Sequence, residues 1–505
     1  MQARSGMAVL LPMSLMLLVA CGGGGGGGPT GPGPGPGPVP DPDPDPVPPS
    51  SPVVYLAAQD EAGVLNLYLA DADDPGTSVQ LNPALPAAGV IDSFALSPAN
   101  DRVVYIADQD TAGQFELYSV EFTDPGTAVK LNADLVADAD VVEFNISPDG
   151  SQVIYSADQD TLSVRELYLV DFAAPATSTK LNSPLVQNGD VSVEITFSPD
   201  GMQVLYAADQ DTSGLFELYL VDPAVPGVTV KVNGPFPATT TLRTGALFSP
   251  DGSWILYGAD PDTETVSELY VVATATPGTA TKVNPPYSGD SDVCNWKFSP
   301  DSTRIVYCAD EDTAGVLELY LVDIGALGVS AKLNPALVSG GDVEAGFAFS
   351  ADSSFVAYRA DQDTDETREL YRVDLASPGA AEKVNSALPD FGGGVTGDVF
   401  AFRIRPDNLA ITYSADQITN GIVELFEVDV SDPGVSTKVN PDLAGSTAHP
   451  FEYSADGTKL VYAADQDTSG EAELYVVEVA ALGAATKVSS PLVTGGTVQE
   501  FRIPR

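Results

Sequence analysis

"YIADQDTAGQFELY" spans residues 105–118. It recurs as YSADQDTLSVRELY at 155–168, YAADQDTSGLFELY at 206–219 and YAADQDTSGEAELY at 462–475. Aligning the opening tyrosine gives nine copies, at Tyr55, Tyr105, Tyr155, Tyr206, Tyr257, Tyr307, Tyr358, Tyr413 and Tyr462. They are about 50 residues apart, a period that belongs to solenoids and propellers.

Each period holds four short apolar segments divided by turn chemistry. In the third unit "VVEFNI" (141–146) alternates and stops at "SPDG", a tight-turn sequence. "QVIYSA", "ELYLVDF" and "STKLN" follow, separated by "DQDTLSV" and the proline-containing "AAPAT". Four antiparallel strands without a helical period make one propeller blade. We label them a (FSPDG strand), b (VIYSAD), c (ELYLV) and d (KLN).

The chain enters the pattern at strand b, at Val53, and leaves it after a strand a, "VQEFRIPR" (498–505), where Phe501 and Ile503 stand where Phe144 and Ile146 stand elsewhere. The last strand a therefore completes the first b, c and d, and a closed ring leaves no exposed edge. The expected fold is all-β: a closed propeller of nine four-stranded blades over residues 53–505. Eight blades with one unit displaced, or two smaller rings, are the alternatives. Even spacing and the lack of an internal linker favour one ring. "DFGGGVTGD" (390–398) lengthens one d–a loop.

"FSPDG" (197–201, 248–252), "YxAD" and "ELYLV" together resemble the WD40-like, TolB-type propeller repeat. The resemblance covers nearly all of 53–505 and implies a propeller. It differs from TolB itself in having nine units and no α/β domain before them, so TolB's own role is not carried over.

Residues 1–20 carry Arg4 and then an apolar run ending in small residues, the pattern of a secretory signal. "LVAC" (18–21) resembles the lipobox of bacterial lipoproteins, which implies cleavage before Cys21 and lipidation of its sulfur. Residues 21–52 then form a glycine- and proline-rich tether, extended at about 3 Å per residue where proline dominates. Gly22 rather than Asp follows the cysteine. By the enteric lipoprotein sorting rule, this points to the outer membrane. The expected location is the bacterial cell envelope, facing the periplasm or the surface, with the membrane contacted through Cys21.

Asp and Glu number 71 against 22 Lys and Arg, a formal net charge of −49. Such a chain repels nucleic acid and anionic lipid surfaces and attracts cations. The single histidine, His449, placed here in a d–a loop, rules out a multi-histidine metal centre. No G-x-S-x-G nucleophile elbow occurs.

The b–c hairpins read D-x-D-T-x-x-x-x-E, which resembles the calcium loops of integrin-type propellers, with carboxylates at positions 1, 3, 5 and 9. Asp361, Asp363, Asp365 and Glu369 supply all four, as do Asp260, Asp262, Glu264 and Glu268. Most copies lack the acid at position 5, where Ala112, Leu162 and Ser213 stand. Calcium wants six to eight oxygens. The competing reading makes the Asp a turn cap and leaves the Glu solvated. Cys294 in strand a and Cys308 in strand b of one blade are a disulfide candidate, provided that the register does not turn them to opposite faces.

The leading functional expectation is a non-enzymatic interaction or scaffolding module acting on an envelope protein or glycan. The alternatives are a calcium-dependent adhesin and a protein that binds or cleaves polysaccharide. No cofactor other than calcium is implied.

Overall fold

The computed structural model describes residues 49–243, 245–263, 266–286, 292–392 and 395–504. The signal segment, Cys21, most of the tether and Glu264 lie outside them. Among the described residues the chain forms nine four-stranded antiparallel sheets, the blades of a β-propeller, and one two-stranded ribbon. Helix among these residues is confined to two short 3-10 turns. The ribbon, Asp390–Gly392 with Val395–Thr396, is the long d–a loop before blade eight.

Ring closure follows the expected register. Blade one pairs strand b, Pro52–Ala57, with strand c, Asn66–Asp71, on one side. On the other side it pairs with strand a, Val498–Arg502, from the far end of the sequence, Tyr55 standing opposite Phe501. The packing at this seam repeats that of the other interfaces: Tyr55, Tyr68 and Phe501 bury against Val461, Leu474 and Val488 of blade nine.

Strands b and c carry the core because both of their faces are covered. In blade three they are Gln152–Ala157 and Glu166–Asp171. Leu167, Leu169 and Ile154 on one face meet Tyr206 and Tyr219 of blade four. Tyr155 and Tyr168 on the other face meet Leu117 and Leu131 of blade two. Every blade stacks an aromatic pair across b and c at centroid distances of 5.4–5.7 Å, Tyr–Tyr except for Tyr413–Phe426. Such a pair adds about 0.5–1.5 kcal/mol beyond area burial. The hydroxyl of the b-strand tyrosine donates to the glutamine of "ADQD": Tyr105 to Gln109 at 2.5 Å and Tyr155 to Gln159 at 2.6 Å.

Strand d is short and half-exposed, and its asparagine secures it. Asn132 accepts from Leu117 N at 2.8 Å and donates to Ala133 O at 2.9 Å. In the a–b turn Asp149 accepts from Ser147 Oγ at 2.6 Å and from Ser151 N at 3.0 Å. Gly150 takes φ +71°, open to glycine at little cost. Strands a approach each other across blades: Asn295 Nδ2 donates to Ala345 O at 2.8 Å, from blade six to blade seven. They are the inner strands, lining the central channel, and their exposure alternates accordingly.

Candidate functional site

The repeated acids are tied into the fold. The first hairpin Asp clamps two loops. Asp108 accepts from Val90 N at 2.5 Å, in the d–a loop, and from Gly113 N at 2.8 Å, in its own hairpin. Asp361 does the same with Asp342 N at 2.5 Å and Glu366 N at 3.1 Å, and Asp260 accepts from Thr241 N.

The second Asp and the Glu share a strand-d lysine. Lys383 lies 3.1 Å from Asp363 and 2.5 Å from Glu369. Lys282 lies 2.7 Å from both Asp262 and Glu268. The arrangement recurs in blades three, four, six and nine. Glu369 is 5% exposed, not solvated as the turn reading held. Burial alone would lower the Lys383 ammonium, but its bonds to Glu369 and Asp363 raise it above its ordinary value. Blade one replaces both partners together. Asn66 stands for the Glu and Gln80 for the Lys, and Asn82 Nδ2 donates to Asn66 Oδ1 at 2.9 Å.

The acids of the two richest hairpins are thus spread between a backbone clamp and a lysine bridge, and Asp365 lies over Gly340 of the neighbouring loop. Among the described residues no group of three or more His, Cys, Asp or Glu side chains is placed to hold a metal ion.

Cys294 and Cys308 are joined as a disulfide, with Cα atoms 5.4 Å apart. Asn295, not Cys294, stands opposite Cys308, and Cys294 sits at a register shift between Val293 and Asn295. The one-residue offset is absorbed by this β-bulge, which re-aims the side chain.

His449 is not in a loop. It belongs to strand a of blade nine, Ala448–Tyr453, and packs edge-on to Phe451 at 6.1 Å. Pro450 is accommodated because the ladder shifts register between Ala448 and Phe451, where no backbone donor is required.

A cavity of about 560 Å³ opens in the channel wall of blades six to nine. Lys297 projects from strand a of blade six and donates to Phe347 O at 2.7 Å. Its ammonium also stands 5.4 Å from the Phe347 ring centroid. Arg403, at the equivalent position of blade eight, pairs with Glu452 at 3.0 Å and covers Phe451 at 5.8 Å. Arg359 reaches in from strand b of blade seven, donating to Val399 O at 3.0 Å with Glu344 3.8 Å away. Phe400 faces this space 45% exposed.

The side chains of Lys297 and His449 are open to the lumen yet walled in by protein. That partial desolvation, reinforced by Arg403, holds the Lys297 ammonium below its ordinary value. Desolvation, then Arg403 and Arg359, also lowers His449. The wall of blades two to four has the opposite character. Burial raises the carboxyls of Glu143 and Glu194 on neighbouring strands a, and Asp92 adds to the effect at Glu143.

The channel cations were not singled out in the sequence. The clue lay in a variable residue at a repeated position: Lys297, Arg403 and Arg502 stand where Ala95, Asn145 and Ala348 stand elsewhere, and each cation lies over a phenylalanine of the next blade.

No family model matches this chain, and no curated protein matches it. Solved structures do. A eukaryotic initiation factor aligns with TM-score 0.53 and 11% identity over 89% of this chain and 98% of that one. Dipeptidyl peptidase 4 from Porphyromonas gingivalis aligns with TM-score 0.53 and 11% identity over 77% of this chain and 58% of that one. TolB from Acinetobacter baumannii aligns with TM-score 0.31 and 17% identity over 54% of this chain and 61% of that one. At these identities the likeness is one of fold alone.

Proposed function

We propose that this chain is a lipid-anchored binding module of the bacterial cell envelope. It takes its ligand in the central channel rather than on the hairpin rim. One observation carries the reading: a cavity of about 560 Å³ walled by Lys297, Arg359 and Arg403, in a protein with net charge −49. Residues that hold the ring together recur blade after blade, whereas a cation at the Lys297 position is shared only with Arg403 and Arg502, and Arg359 stands alone at its own. The TolB-type wording of the repeats and the LVAC sequence before the tether support the envelope location. A Cys21→Ser variant is expected in the soluble fraction, and a variant that stays with the membranes removes the anchor from the proposal. Loss of crosslinked envelope partners when Arg403 is replaced by Gln tests the channel as the binding surface.

A second reading rests on Glu143 and Glu194. Two carboxyls with raised pKa values line a smaller channel pocket of about 170 Å³, a setting suited to protonating a glycosidic oxygen. New reducing ends from a glycan panel, abolished in Glu194→Gln, would make the protein an enzyme.

A further inference from the structure

We propose that the cavity on blades six to nine is a binding site for a small organic monocarboxylate. Lys297 and Arg403 hold its carboxylate, and Phe400 supports its body. The inference rests on the binder reading above and adds the chemistry of the ligand.

Charge is the first argument. Arg359 has Glu344 beside it and Arg403 pairs with Glu452, whereas Lys297 pairs with no carboxylate among the described residues. Its ammonium has three donors, and Phe347 O takes one. A monoanion supplies the counter-charge that Lys297 lacks. A phosphate dianion brings a second charge towards Glu452.

Geometry is the second argument. Lys297 and Arg403 occupy equivalent positions on strands a of blades six and eight. Strand a of blade seven lies between them and gives the wall Gly346 and Ala348, which leave room. Phe400 turns its ring to this space although phenylalanines at the next repeated position, Phe347 and Phe402, are buried. An exposed ring beside two cations offers a flat apolar face to the body of the ligand, and Glu452 can accept from a hydroxyl. The volume suits a small ligand, since such sites run from about 300 to 1,000 Å³.

His449 gives a direct readout. It is the single histidine of the chain, and its ring packs on Phe451, which Arg403 also covers. In the full-length chain labelled at histidine, D-glucuronate is expected to shift the His449 ring resonances saturably, and D-glucose is expected not to. Inorganic phosphate is expected to bind at least tenfold more weakly than glucuronate. Lys297→Met is expected to weaken glucuronate at least tenfold, with Lys297→Arg retaining affinity within about threefold as the control for folding. Phosphate binding as tight as glucuronate, an unmoved His449, or an unchanged Kd in Lys297→Met would each overturn the proposal. Partner capture that depends on Arg403 would survive all three results, so failure of the ligand assignment is distinguishable from failure of the binder reading.

Discussion

Two lysines of neighbouring blades sit in opposite circumstances. Lys383, at the outer edge of blade seven, bridges Asp363 and Glu369, and these carboxylates raise its pKa. Lys297, in the channel wall of blade six, meets a carbonyl and an aromatic ring, and desolvation and Arg403 lower its pKa. The first recurs in most blades with its partners and is replaced together with one of them in blade one. The second shares its position with Arg403 and Arg502, and alone of the three it pairs with no carboxylate among the described residues. In a repeat protein the recurring charge belongs to the architecture and costs little, because its counter-charge recurs with it. A charge to which the repeat brings no counter-charge is the better pointer to a ligand.

The contrast can be broken by mutation. The largest effect is expected away from charge altogether. Leu167→Ala empties a fully buried position between blades three and four and should cost about 2–5 kcal/mol in urea unfolding. Next, Lys383→Met leaves Glu369 buried without its cation. A loss of about 1–3 kcal/mol is expected, most of it recovered by adding Glu369→Gln. Lys297→Met loses its bond to Phe347 O but also the repulsion from Arg403, so its thermal midpoint should fall by less than that of Lys383→Met. Equal destabilisation by the two lysine variants would erase the distinction.

A smaller effect is expected at Glu143. Burial and Asp92 raise its folded pKa above the unfolded value, so its contribution is present below the unfolded value and lost as pH rises through the folded one. Glu143→Gln should therefore match the parent in acid and exceed it at neutral pH. The smallest effect is expected from calcium. With the hairpin acids already clamped and bridged, the thermal midpoint should be the same in excess calcium and in chelator at fixed ionic strength. A calcium-specific rise would return Asp361, Asp363, Asp365 and Glu369 to the role of ligands.

The ring was legible because its determinants are local and periodic. Tyrosine spacing set the blade count, and the strand a at 498–502 announced its partner at 52–57. The cysteine pair was legible to within one residue, and the bulge at Cys294 supplied the rest. The hairpin acids were visible, but their lysine lies fourteen to twenty residues away in strand d, and only the fold brings it back. The channel site was hidden for the same reason on a larger scale. Lys297, Arg359 and Arg403 are separated by one blade each, and convergence on one lumen is a property of the closed ring. His449 was misplaced because a following proline reads as a loop, whereas here it falls at a bulge.

Strand b of blade one has a mechanical consequence. It follows directly on Ser50 and Ser51, whose amides donate to Asp71 at 2.8 and 3.0 Å. Tension transmitted along the preceding segment would reach Pro52–Ala57, which is held by a ladder on each side. Pulled along its length, that strand must shear both ladders at once instead of peeling from an edge. The point where a load would enter the ring is also where residues far apart in sequence are buttoned together, so resistance to force and integrity of the ring would be lost in one event.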